Sequence, residues 1–122
     1  MIGGSTLTLM GLGLPGELAD IIGADYFLGA GIGTAQVGAR PIVGDNAELT
    51  ATSGQTDFVL PISQALVEAV FVFNSSATTA RVWVPVGHTL NGSANTNLPI
   101  ATVKAAMFWQ YKPKFWASIL SN

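Results

Sequence analysis

The side chains that could carry acid–base or metal chemistry are few in this sequence and stand apart from one another. His88 is the only histidine, and the chain contains no cysteine. A general base or a metal site needs a second polar group nearby, and the neighbours Gly87, Thr89 and Asn91 supply no acid. We therefore expect His88 to lie in a turn, and we expect no catalytic residue and no metal ligand.

The carboxylates give no better candidate for catalysis. Asp45 and Glu48 are close in sequence, but residues three apart on an extended chain point to opposite sides. Asp57 and Glu68 could form the carboxylate pair of a glycosidase, although no other feature singles them out. We expect that the protein is not an enzyme.

A glycine motif near the start of the chain matches the phosphate-binding loop of dinucleotide sites. Residues 11–16 follow the pattern G-x-G-x-x-G. Such a site also needs a βαβ unit of about 30 residues, with an acid after the second strand. Here Arg40 and Pro41 stand in the region where that acid would lie. We therefore expect no cofactor.

Aromatic side chains alternate with two lysines between Trp109 and Trp116. Such a mixture could stack on bases or on sugars. The alternative is a hairpin around Lys112, Pro113 and Lys114 whose rings pack in the core and at an interface. The second interpretation is favoured, because a nucleic-acid groove needs more basic residues than this segment has.

The composition indicates a surface that other proteins cover. The chain of 122 residues has five Lys and Arg and seven Asp and Glu, so that 10% of it is charged, against about 25% in an ordinary soluble domain. A net charge of −2 argues against binding to nucleic acid. The apolar stretch at residues 26–39 has 14 residues and is shorter than the ~18 that a membrane span requires, so no membrane is expected.

Glycine divides the sequence near residue 44, because 11 of the 14 glycines precede residue 45. We interpret residues 1–44 as a glycine-rich N-terminal arm with one short helix at about residues 15–28. Pro15 suits the first turn of a helix, where its missing N–H costs no hydrogen bond. Apolar residues then follow at helical spacing.

Residues 45–122 have the pattern of an all-β domain. Short segments rich in Val, Phe, Trp and Thr recur about every ten residues, which is typical of an antiparallel β-sandwich or jelly-roll-like domain. Asn91-Gly92 is the strongest hairpin signal, and Ser53-Gly54 and residues 74–76 mark further turns. The predicted strands are residues 48–52, 56–60, 67–73, 80–86, 98–103, 105–111 and 115–120.

Several predicted strands are apolar on both faces. In the strand at residues 67–73, Phe71 and Phe73 share one face, while Val70 and Val72 lie on the other. An antiparallel strand with one wet face should alternate cleanly between apolar and polar residues. Either both faces are buried inside the domain, or the second face meets another subunit. The low charge of the chain favours the subunit.

The C-terminal half resembles a module of small bacteriophage virion proteins. Residues 70–74 form an apolar strand that ends in an Asn turn, and residues 80–92 form a strand with Pro85-Val86-Gly87 followed by Leu90-Asn91-Gly92. A later apolar strand and a closing segment that begins at Trp116 complete the pattern, which covers residues 57–119. Proteins of this kind are capsid decoration (cement) proteins and other structural components of tailed phages. The resemblance implies a non-enzymatic role as a homo-oligomer, with trimers at the local three-fold positions of the shell as the familiar form.

We therefore expect a virion structural protein that binds the major capsid protein on the outer surface of the capsid and stabilises the shell as a homotrimer. The alternative is a carbohydrate-binding or adhesion module of a phage tail or head surface, with Trp109, Tyr111 or Trp116 exposed in a shallow groove. The residues expected to dock on the capsid or on a neighbour are Leu18, Ile21, Ile22, Tyr26 and Phe27. Those expected to pack in the core and between subunits are Trp83, Phe108, Trp109 and Trp116.

Overall fold

Two β-sheets make up the part of the chain that the computed structural model describes, residues 27–62 and 68–122. The seven-stranded sheet contains, in spatial order, β1 (Phe27–Ala30), β3 (Asn46–Thr50), β5 (Ala69–Asn74), β10 (Ala105–Lys112), β11 (Phe115–Leu120), β7 (Thr89–Leu90) and β8 (Ser93–Ala94). The four-stranded sheet contains β2 (Arg40–Pro41), β4 (Asp57–Val59), β6 (Ala80–Trp83) and β9 (Asn97–Ile100). The prediction of an all-β protein is confirmed for these residues.

The first six strands wind as a β-solenoid. They alternate between the sheets, so β1, β3 and β5 lie side by side and parallel in one sheet. In the other sheet β2, β4 and β6 do the same. After β6 the chain turns back, because β9 pairs antiparallel with β6 and β10 pairs antiparallel with β5. Three coils of solenoid are thus closed by antiparallel strands.

The prediction of an antiparallel sandwich or jelly roll is wrong. Among the described residues, five strand pairings are parallel and four are antiparallel. The spacing of about ten residues between strands does not distinguish a hairpin from a crossing to the opposite sheet. The apolar residues on both faces were the available hint, since parallel strands often read as continuous apolar runs.

The described part of the predicted arm belongs to the two sheets. Strand β1 pairs with β3 and strand β2 pairs with β4, across the predicted division at residue 44. Most of the predicted helix, residues 15–26, lies outside the described residues. Its last two residues, Phe27 and Leu28, are in β1, so a helix does not extend to residue 28. Pairing of the backbone with β3 outweighs the helical spacing of the side chains there.

Turn chemistry was predicted more accurately than strand direction. Asn91 and Gly92 have φ values of 50° and 89° and join β7 to β8, which confirms the two-residue hairpin. Strand β11 has the predicted bounds, and β10 extends one residue further than predicted, to Lys112. Strands β1, β2, β7 and β8 were not predicted, because two to four residues give little periodicity.

One glycine permits the coils to stack closely where the chain leaves β1. The N–H of Gly31 donates to the carbonyl of Thr50 at 3.0 Å. A Cβ atom at Gly31 would lie 2.7 Å from the carbonyl oxygen of Gln55. Any side chain there would push the first coil away from the second.

The core lies between the two sheets. On the seven-stranded sheet it takes every second residue of β5 and β10, such as Val70, Val72 and Phe108. The opposite sheet contributes Phe58 and Val82. The remaining buried apolar residues of this cluster are Ile42, Ala47, Leu49, Ala51, Leu60, Ala80, Val84, Leu90, Ile100, Ala106 and Trp116.

Candidate interaction surface

The outward side of the seven-stranded sheet is apolar, and we call it the outer face. It is formed by the large side chains of Phe71, Phe73, Met107, Trp109 and Ile119. Because side chains alternate along a strand, burial of Val70 and Val72 turns their neighbours on β5 away from the core. Phe71 is 49% exposed, Phe73 40% and Ile119 57%. These are large apolar groups in contact with solvent.

The strand register makes the outer face continuous. Met107 of β10 lies directly between Phe71 of β5 and Ile119 of β11. Trp109 lies in the next row, between Ala69 and Ala117. Side chains opposite one another on neighbouring strands share a face and touch. The exposed residues therefore form one strip across three strands.

Two shallow depressions flank Phe71 on the outer face, with volumes of about 310 Å³ and 260 Å³. Glu48 is the one ionisable residue among the described residues that line them. The first depression, toward β3, is lined by Asn46, Ala47, Glu48, Phe71, Val72, Phe73 and Ala105. The second, toward β11, is lined by Phe71, Val72, Ala105, Ala106, Met107, Ile119 and Ser121. A ridge with an apolar hollow on each side is a shape that fits apolar protein surface rather than a charged ligand.

The predicted packing residues divide between the core and the surface. Phe108 and Trp116 are completely buried, whereas Trp83 and Trp109 are half-buried. Trp109 lies on the outer face. Burial of Trp116 removes that ring from the sugar-binding groove of the alternative hypothesis, whereas Tyr111 is 47% exposed at the end of β10.

Of the predicted docking residues, the structure describes Phe27. Its ring is half-buried against the core, and the guanidinium of Arg40 lies 5.2 Å from the ring centre. The other four, Leu18, Ile21, Ile22 and Tyr26, lie outside the described residues.

Asp57 is fully buried at the outward side of the four-stranded sheet, where four donors surround its carboxylate. Arg81 donates from Nε at 2.8 Å and from Nη2 at 2.9 Å, Thr56 from its hydroxyl at 2.6 Å and Trp83 from its indole at 2.6 Å. Nη2 of Arg81 also donates to the carbonyl of Thr34 at 2.6 Å. The network therefore ties β4, β6 and the first coil together.

This network sets the ionisation of Asp57. Burial raises the pKa of the carboxyl, but hydrogen bonds from Arg81, Thr56 and Trp83, with the charge of Arg81, outweigh it and hold the pKa below its ordinary value of 3.8. A carboxylate that accepts four hydrogen bonds suits a structural ion pair better than the glycosidase pair considered with Glu68, which is exposed.

His88 is buried beside Trp116, the tryptophan of the core. Its Nδ1 accepts a hydrogen bond from the indole N–H of Trp116 at 3.0 Å, so the neutral ring carries its proton on Nε2. Burial and the nearby charge of Lys114 lower the pKa of His88 below 6.5. Its backbone N–H donates to Pro85 at 2.9 Å across a turn, as predicted.

Residues 27–62 and 68–122 contain no group of three His, Cys, Asp or Glu side chains that could hold a metal ion. Over the same ranges no helix is long and apolar enough to cross a membrane.

The chain was also compared with known proteins. No model of a protein family matches it, and neither does any curated protein.

Two features of the site were missed from the sequence. The pairing of Asp57 with Arg81, 24 residues later, depends on the register of β4 with β6, which the sequence does not reveal. An acid directly before the apolar residues Phe58 and Val59 was the available signal for a buried partner. The outward direction of Phe71 had no signal, because both faces of its strand are apolar.

Proposed function

We propose that the protein is a structural component of a phage virion. In this role it is a decoration protein that binds the major capsid protein on the outer surface of the shell and stabilises the shell as a homo-oligomer. Three copies are the state that the resemblance favours. The proposal includes no catalytic activity and no cofactor.

The observation that carries the proposal is the apolar outer face, which supports assembly with other protein subunits, while docking on the shell is expected from residues such as Ile21. A monomer rarely exposes a contiguous apolar patch of more than a few hundred Å², and a larger one marks a surface that binds protein or membrane. Protein is favoured here because only five Lys and Arg residues are available to attract acidic lipid. The resemblance of residues 57–119 to virion proteins supports the same role.

Contact through several copies suits a protein that holds a shell together. Each copy adds one weak contact with the shell, and linkage of the copies lets these contacts act together at high effective concentration.

The experiment is sedimentation of the full-length protein with undecorated capsids. We expect saturable co-sedimentation and a higher temperature of shell disruption. Ile21→Glu, at a predicted docking residue, should weaken binding at least tenfold, whereas the control Val86→Glu, at a turn residue that is 64% exposed, should bind normally. Failure of the unaltered protein to sediment with any shell would contradict the proposal, and equal binding by the two variants would contradict the docking role of Ile21.

A further inference from the structure

The outer face carries both a protruding ridge and depressions, so the face of one copy can pack against the same face of another. Phe71 forms the ridge, and a depression lies on each side of it. At about 30 Å³ for each water, the smaller depression of about 260 Å³ has the volume of roughly nine waters. An aromatic or branched side chain therefore fits into either one.

We propose that the outer face is the contact between copies of this chain, with the ridge at Phe71 of one copy seated in a depression beside Phe71 of another. The inference deepens the proposed function, on which it rests for the number of copies, because it assigns this face to the homo-oligomer and not to the shell. In a trimer, three outer faces turn toward a common axis. The two depressions then allow each face to meet both neighbours.

The area of the outer face suits a stable interface. The five longer strands of this sheet are β1, β3, β5, β10 and β11. At a spacing of about 4.8 Å and an average strand length of about 20 Å, they give a projected area of about 480 Å². Side chains that stand out from the sheet raise the accessible area toward the roughly 800 Å² that each partner buries in a standard interface. Burial of the strip formed by Phe71, Met107 and Ile119 supplies the apolar centre that such an interface needs.

The charge of the face also fits a second copy. Glu48 is the one ionisable side chain lining the depressions among the described residues. A strongly basic or acidic partner would meet almost no opposite charge on the outer face. An apolar face of the same composition needs no opposite charge for favourable contact. Aromatic residues and Met are also the side chains enriched at the centres of protein interfaces.

The test is the mass of the full-length protein by size-exclusion chromatography with light scattering. We expect a mass of more than one chain, and dissociation to a monomer in Phe71→Glu at concentrations where the unaltered protein stays assembled. Loss of a central interface residue raises the dissociation constant about 30-fold or more. Val86→Glu introduces the same charge at an exposed apolar residue outside the face and should keep the full mass. Circular dichroism checks that each variant folds.

The outcomes separate this inference from the proposed function. If the unaltered protein is a monomer, the inference is overturned. A monomer is the result expected if residues 1–26 of the same chain cover the face in place of a second copy. A Phe71→Glu variant that stays assembled but no longer sediments with capsids also overturns it, because the face would then bind the shell. If the unaltered protein assembles through Phe71 but never binds capsids, the inference stands and the proposed function fails. Should Phe71→Glu not fold, the milder Ile119→Asn gives the same readout.

Discussion

The outward sides of the two sheets are completed in opposite ways. On the four-stranded sheet, Arg81 and Trp83 cover Asp57, and Arg81 reaches the carbonyl of Thr34 in the first coil. The side chain of Gln36 donates to the carbonyl of Val84 at 2.8 Å and holds the same coil in place. On the seven-stranded sheet, large apolar side chains face outward and stay exposed. One side is closed by the chain's own polar contacts, whereas the other is suited to another protein.

This difference shows that low charge has two consequences in one small protein. Where a charged pair is used, its carboxylate is buried and surrounded by donors, so that it fixes the path of the chain. Where charge is absent, on the outward side of the seven-stranded sheet, the surface is apolar and suited to an apolar partner. The comparison can be tested separately on each side.

The largest effect is expected on the four-stranded sheet. Asp57→Ala leaves the indole N–H of Trp83 without its acceptor and Arg81 without its ion-pair partner, and we expect the free energy of unfolding to fall by about 2–4 kcal/mol. Urea unfolding measures this loss. Asp45→Ala, at an exposed aspartate, is the matched control and should change stability by less than about 0.5 kcal/mol. Equal stability of the two variants would contradict the structural role of Asp57.

A smaller effect is expected from acid, because the buried His88 must remain neutral to accept the hydrogen bond from the indole N–H of Trp116. Its pKa is below 6.5 when folded, so the unfolded chain binds more protons between the folded pKa and pH 6.5. Stability should therefore be independent of His88 above pH 7 and should fall as the pH drops below 6.5. Urea midpoints at pH 7.5 and 5.5 measure the loss.

The control for the acid effect is His88→Gln, which cannot be protonated. Its urea midpoint should change less between pH 7.5 and 5.5 than that of the unaltered protein. The carboxylate of Asp57 acts in a separate window, because its lowered pKa keeps its contribution intact down to about pH 3.8. An unchanged acid response in His88→Gln would show that another group causes it.

The smallest effect on folding is expected on the seven-stranded sheet. Phe73→Ser removes an outward ring that is 40% exposed, so the contacts of its buried part are lost and the free energy of unfolding of the monomer should fall by about 1 kcal/mol. Its effect on assembly should be larger, with a rise of several-fold in the dissociation constant measured by light scattering. Val37→Ser, at a residue that is 81% exposed and lies outside both sheets, should alter neither. A large loss of stability in Phe73→Ser would mean that this ring belongs to the core.

Local features of the fold could be predicted from the sequence. The bounds of β11 and the hairpin at Asn91-Gly92 depend on alternation and on positive φ values, which neighbouring residues determine. The winding could not be predicted, because parallel pairing of β1 with β3 depends on segments 20 residues apart. Whether Phe71 points outward depends on which side of its strand the second sheet packs. Both faces of that strand are apolar, so its own residues do not indicate the side.

The return of the chain after β6 has a consequence for the order of events during folding. Phe27 and Ala47 are 20 residues apart and Asp57 and Arg81 are 24 apart, whereas Phe71 and Met107 are separated by 36. Closure of a longer loop costs more entropy, so we expect the coils to stack before β10 docks on β5. The strip that joins Phe71 to Met107 and Ile119 exists only after that docking. A chain still being synthesised would therefore not yet display the surface through which we propose that copies meet, and premature association would be avoided by timing alone.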